Sequence, residues 1–184
     1  MSEVNLHGRP VPPVLRALWE AQLAGEDILR LSDCDAELFA GRHKAYEQLY
    51  LKDPPDKKIR RAAQRMFQEI GFIAYSVDPQ LFGYWFHDDQ VTVERAPIVT
   101  LNSEGTFYLC DANLQDYLLL GPYERQPENV RLLRRWFKEH NIPLSPPAWF
   151  KENSRPRPRF EWDALYASRG LPDPDKRLWE YING

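Results

Sequence analysis

Residues 82–120 read FGYWFHDDQVTVERAPIVTLNSEGTFYLCDANLQDYLLL, and this stretch decides the fold. Apolar and β-branched runs alternate with turn signals, which is the pattern of short strands joined by tight connections. Residues 81–86 form one expected strand, and the polar run His87-Asp88-Asp89-Gln90 a loop. Pro97 permits a strand start at Ile98-Val99-Thr100-Leu101. Asn102-Ser103-Glu104-Gly105 is a hairpin turn in which Gly105 can take a positive φ. Residues 106–110 return as the next strand. Asp111 is then placed to cap a helix reaching Leu120, with Leu114, Tyr117 and Leu118 turned inward. The stretch is a small antiparallel meander with a helix packed back on it. It holds no residue set at a catalytic spacing.

Working outward, residues 72–77 extend the meander by a strand, and Asp78-Pro79 turns it. Before that lies the clearest helix. Ile59, Ala62, Ala63, Met66, Phe67 and Ile70 recur at helical spacing on one face, and Gly71 is placed to end it. Its basic residues Lys57, Lys58, Arg60, Arg61 and Arg65 fall off that face or at its edge, which reads as a solvated helix face, with nucleic-acid contact the alternative. Near the N-terminus, Pro12 and Pro13 open a helix carrying Leu15, Leu18, Trp19 and Leu23, with Gly25 as its stop. A second helix is expected from a cap at Ser32 or Asp33, carrying Leu38, Phe39, Tyr46, Leu49 and Tyr50, until Asp53-Pro54-Pro55 breaks it.

After Pro122 the character changes. One more amphipathic helix, residues 128–140, carries Val130, Leu133, Trp136 and Phe137. Seven prolines from Pro143 to Pro174 then punctuate a segment bearing Trp149, Phe150, Phe160, Trp162, Tyr166, Trp179 and Tyr181. So many large rings point to an extended arm pinned by aromatic anchors. The expected architecture is α+β: N-terminal helices, a central antiparallel sheet of four to six strands with packed helices, and an irregular proline-rich C-terminal arm. Residues 1–122 would form the α+β domain, and 123–184 a helix and arm on the same body.

The 184 residues, 43% hydrophobic and 13% aromatic, suffice for a globular core. MSEVNLHGRPVPP lacks the apolar core of a signal peptide, and no apolar run approaches a membrane span. The expectation is a soluble cytoplasmic protein. Cys34 and Cys110 read as buried small hydrophobes in a reducing compartment, although one disulfide between them is compatible with the sequence.

Net charge is −3, but it is unevenly distributed. Residues 76–128 carry nine carboxylates against Arg95 and Arg125, a net of −7. Residues 129–160 carry eight basic residues against Glu139 and Glu152, a net of +6. These segments can dock on each other or face different partners.

Chemistry-bearing constellations are sparse. His87-Asp88-Asp89, with His43 or His7 as a distant second nitrogen donor, is the best metal candidate, but no ligand pair has HxH, HxxxH or CxxC spacing. Cys110 stands beside Asp111, whose charge disfavours a thiolate. No phosphate-binding glycine loop is present. Arg155-Pro156-Arg157-Pro158-Arg159 favours polyproline II and would spread three guanidinium groups along a ribbon.

Gly83-Tyr84-Trp85, then Ala96-Pro97-Ile98-Val99, Ser103-Glu104-Gly105, the strand at Phe107 and the helix from Leu114 to Leu119 resemble the SUKH superfamily in order and content. The resemblance spans about residues 70–120. It implies an α+β unit without catalytic apparatus or cofactor. Many bacterial members of that superfamily are immunity proteins that bind and neutralise a secreted toxin, nucleases prominent among them; eukaryotic relatives are linked to regulation of cell-wall glucan synthesis. The chain departs from the pattern in its long lead before Pro55 and in its basic arm after Pro122.

The expectation is therefore a non-enzymatic module whose partner is a protein, a toxin domain, rather than membrane or nucleic acid, with no metal and no cofactor. Trp85, Asp88, Asp89, Glu94, Glu104, Asp111 and Asp116 are its candidate contact residues. Two alternatives stay open. One is a small metal-dependent hydrolase built around His87, Asp88 and Glu104. The other is a nucleic-acid-binding protein using Arg131, Arg134, Arg135 and the Arg-Pro ribbon.

Overall fold

A computed structural model describes residues 6–32, 36–38, 56–76, 80–102, 105–119, 126–144 and 167–184. At its centre lies a five-stranded antiparallel sheet whose spatial order is its chain order. The strands are β1 (Ala36–Leu38), β2 (Ile70–Ser76), β3 (Leu81–Trp85), β4 (Ile98–Leu101) and β5 (Phe107–Asp111). Helices cover both faces, and the fold class is α+β.

The two faces bury different sets of side chains because successive strand residues point to opposite sides. On one face Ala74, Phe82, Tyr84, Ile98 and Cys110 join Val14, Leu15 and Leu18 of α1 (Pro13–Leu23) and Ile28 and Leu29 of α2 (Ile28–Leu31). The same core takes Leu114, Tyr117 and Leu118 of α4 (Leu114–Leu119) and Leu133, Trp136 and Phe137 of α5 (Pro127–Glu139). On the other face Phe72, Leu81, Trp85, Val99, Leu101, Phe107 and Leu109 pack under Met66 and Phe67 of α3 (Lys57–Glu69). Leu178 and Tyr181 of α6 (Pro174–Asn183) close this second core from outside. Every residue of β3 and β4 is buried, as strands covered on both sides must be.

Gly83 makes the sheet possible. A Cβ there would stand 2.8 Å from the Gly71 carbonyl oxygen and 2.9 Å from Phe72 Cα. The absent side chain lets β2 and β3 approach where the register shifts between Phe72 and Ala74.

Several local readings change. Leu38 lies in β1, opposite Ala74, and not on a helix beginning at Ser32; Ser32 instead ends the one-turn helix α2, which Asp27 caps through the Arg30 N–H at 3.1 Å. Phe39, Tyr46, Leu49 and Tyr50, assigned to the same expected helix, lie outside the described residues. Gly71 does not terminate α3. Ile70 is already extended, and Gly71 sits inside β2 opposite Tyr84, so helix passes to strand without a turn. Leu23, though in phase with Leu15, reaches the last turn of α1 and is 71% exposed. Ile59, in the first turn of α3, is likewise exposed.

Asp111 does not cap α4 through the helix N–H groups. Asn113 does: its Oδ1 accepts from Asp116 N at 2.9 Å, and its Nδ2 donates to Asp116 Oδ2 at 3.0 Å. This is a reciprocal cap. The hairpin at residues 102–105 keeps its expected Gly105, at φ 80°, with Thr106 N donating to Asn102 Oδ1 at 2.9 Å. Within the expected arm, residues 174–183 are helical, and Asp173 caps them with Pro174 in the first turn. No helix among the described residues is long and apolar enough to cross a membrane.

Candidate partner-binding surface

Between β3 and β4 the chain leaves the sheet, projects into solvent and returns. The base of this excursion is tied: Trp85 N donates to Pro97 O at 2.8 Å, and Phe86 N to Glu69 O at 2.7 Å. Its interior is folded on itself. Asp88 accepts from Gln90 N through Oδ1 at 2.8 Å and from Val91 N through its carbonyl at 3.0 Å. Arg95 N donates to Thr92 O at 3.0 Å. Val93 and Ala96 are buried and anchor the loop to the first core. From outside, Arg9 Nε donates to Val91 O at 3.3 Å, with its guanidinium 4.0 Å from the centre of the Phe86 ring.

The result is a loop of defined shape that presents Asp88, Asp89, Gln90, Thr92, Glu94 and Arg95 to solvent. Three carboxylates against one guanidinium leave this tip acidic. A surface already held in one shape loses less conformational freedom on association than one that must order.

Beneath the loop, on the second face of the sheet, Glu69 gathers three donors. Its Oε2 accepts from the Trp85 indole N–H at 3.0 Å. Its Oε1 accepts from Arg177 Nη2 at 2.8 Å and from the Tyr181 hydroxyl. The Glu69 side chain is only 16% exposed, and a carboxylate so enclosed persists only with such partners. The Glu69 hydrogen bond holds the Arg177 guanidinium above its ordinary range. Burial, helped by Glu69, pushes the Tyr181 hydroxyl up to about 12. Arg65 lies over the Tyr181 ring at 5.4 Å and completes the seam between α3 and α6.

His87 stands where the loop meets this cluster, its ring edge-on to the Trp85 indole with centroids 5.3 Å apart. Burial lowers its pKa below 6.5, opposed by Asp88 and Glu69, with Arg177 adding to the lowering. The imidazole is therefore held toward its neutral form.

The candidate contact residues divide. Asp88, Asp89 and Glu94 are exposed together on the loop. Trp85, Asp111 and Asp116 are fully enclosed, each at 0% exposure. Trp85 serves the second core and Glu69. Asp111 accepts from Ala112 N at 2.6 Å and lies 3.9 Å from Arg169, while Asp116 belongs to the α4 cap. None of these three presents a side chain to a partner in this conformation. Glu104, Cys34, His43 and the Arg-Pro ribbon lie outside the described residues.

Comparison with protein-family models, curated proteins and solved structures finds no match.

Of the rival constellations, His87 is half-buried beside an exposed Asp88, and among the described residues no group of three His, Cys, Asp or Glu is arranged to hold a metal ion. His7 Nε2 pairs with Ile70 O at 3.0 Å, tying the N-terminal segment to β2. Cys110 is buried in β5, where its Sγ lies 3.7 Å from Tyr108 O. Arg131, Arg134, Arg135 and Lys138 line the exposed face of α5, where Arg131 is paired with Glu128. Glu69, Arg177 and Tyr181 carried no local signal in the sequence, being 108 and 112 residues apart. Only the helical spacing of Leu178 and Tyr181 after Pro174 hints that α6 turns a face inward.

Proposed function

We propose that this chain is a non-catalytic protein-binding module, an immunity protein that binds and neutralises a bacterial toxin domain with a basic surface, a nuclease fitting best. The observation that carries this reading is the loop of residues 87–95: three carboxylates, Asp88, Asp89 and Glu94, on a backbone fixed by its own hydrogen bonds and by the Val93 anchor. Opposed charge steers encounter and rejects acidic partners, and a fixed loop lowers the entropy cost of docking. The likeness of the GYW, APIV and SEG elements to the SUKH superfamily supports the same reading. A cytoplasmic location goes with it, since a toxin acting on nucleic acid inside the cell must be met there.

The test is growth rescue. The product of the adjacent gene, expressed alone, should arrest growth, and co-expression of this chain should restore it. Reversing the loop charges (Asp88→Lys, Asp89→Lys, Glu94→Lys) should abolish rescue while the protein stays folded. Rescue that survives the reversal overturns the assignment of the loop; an adjacent product that is harmless, or that this chain does not neutralise, overturns the immunity reading.

A further inference from the structure

A second acidic feature, a cleft, lies at the opposite end of the sheet from the loop. β2 and β3 meet the 87–95 loop at the Ile70–Trp85 pair, whereas Tyr75 and Leu81 pair at their far end. There α1, α2 and the β1–β2 edge line an open cleft of about 410 Å³, its carboxylates exposed to solvent. That volume lies in the range of sites that take a small ligand or an inserted side chain. Leu18 and Ile28 supply apolar walls, and Tyr75 an aromatic one. Glu26, Asp27 and Glu37 supply three carboxylates, and among the described residues no basic side chain lines the cleft.

Two of these carboxylates are held in place. Tyr75 donates its hydroxyl to Glu37 Oε2 at 2.5 Å, and Asp27 Oδ1 accepts from Arg30 N at 3.1 Å as the cap of α2. Gln22, also in the lining, accepts from Leu38 N at 2.9 Å, which blunts β1 as a template for an added strand.

We propose that this cleft is a docking site for an arginine side chain presented by a partner protein. Arginine combines what the walls require: a methylene stem that packs on Leu18 and Ile28, and a planar cation that meets carboxylates with paired hydrogen bonds and lies against an aromatic ring. The site is separate from the 87–95 loop, so it stands or falls independently of the function proposed above.

The experiment titrates the full chain with acetyl-Ala-Arg-Ala-amide and follows NMR shifts at Leu18, Ile28 and Tyr75. The same peptide with citrulline in place of arginine keeps the shape and removes the charge. Saturable shifts confined to the cleft are expected with arginine, and affinity should fall at least about tenfold with citrulline. Glu26→Gln, Asp27→Asn and Glu37→Gln combined should weaken arginine binding similarly, since Asn can still cap α2 and Gln can still accept from Tyr75. Asp88→Asn, Asp89→Asn and Glu94→Asn combined should leave it unchanged. Equal binding of citrulline, shifts centred on the 87–95 loop, or no saturable shift at all would overturn the proposal; the two-peptide comparison decides it even if the triple variant is unstable.

Discussion

The indole N–H of Trp85 donates to Glu69 Oε2 at 3.0 Å, and this contact joins the end of β3 to the end of α3 at the root of the acidic loop. Trp85 has no exposed surface, so its nitrogen depends on that carboxylate for the hydrogen bond water would otherwise supply. Arg177 and Tyr181 bind the other oxygen of Glu69, so the same residue also fastens α6.

Removing Glu69 should therefore cost more than removing any one of its donors. Glu69→Ala leaves Trp85 Nε1 buried without its acceptor and releases Arg177, a loss of roughly 2–4 kcal/mol. Tyr181→Phe, which removes one donor of three, should cost about 1 kcal/mol. Urea denaturation of the two variants checks the ranking, and equal losses would show that Glu69 does not act as the common acceptor.

Gly83→Ala should destabilise the sheet by about 3 kcal/mol or more, because the new methyl meets backbone atoms that have nowhere to move. Gly25→Ala is the informative contrast. Nothing stands within 4 Å of its would-be Cβ, so only the cost of a positive φ remains, roughly 1–2 kcal/mol. A thermal melt in which Gly83→Ala is the milder change would contradict the close approach of β2 and β3.

His87 and Tyr181 contribute to the pH dependence with opposite signs. His87 has its folded pKa below the ordinary 6.5, so the unfolded chain binds the proton more readily. Its contribution is complete above pH 6.5 and is lost as pH falls through the folded value. Tyr181 is raised from 10.0 to about 12, so its contribution is complete below pH 10 and is lost as pH rises toward 12. Denaturation midpoints across pH should show both limbs. His87→Gln should flatten the acid one and Tyr181→Phe should reduce the alkaline one; an unchanged acid limb in His87→Gln would contradict the neutral, partly buried imidazole.

The meander was legible because its signals are local. Pro97, Gly105 and the β-branched run Ile98-Val99-Thr100-Leu101 each act within a few residues, and the structure uses them as read. Helix α1, α3 and α5 followed from apolar periodicity for the same reason. Leu38 was misplaced because three residues of edge strand carry no periodicity of their own; only Ser76, Tyr75 and Ala74 across the sheet define β1. Gly71 was misread because a glycine after a helix usually stops it, whereas here it sits inside a strand opposite Tyr84.

The site was half legible. Composition located the acidic region, but a carboxylate's charge does not tell whether it serves a partner or the fold. Asp116 completes the α4 cap and Asp111 sits in the protein interior, whereas Asp88, Asp89 and Glu94 are left to solvent by a loop whose anchor is Val93. The Glu69 cluster was invisible, since it exists only once α6 returns to α3.

The most direct measurement is the association rate of this chain with the product of the adjacent gene, the proposed toxin, as a function of salt, for the native loop and for the Asp88→Lys, Asp89→Lys, Glu94→Lys variant. The expected result is fast, salt-sensitive association that slows by about 10- to 100-fold on charge reversal, with an unchanged denaturation midpoint. An association rate indifferent to both salt and the reversal would contradict the acidic loop as the recognition surface.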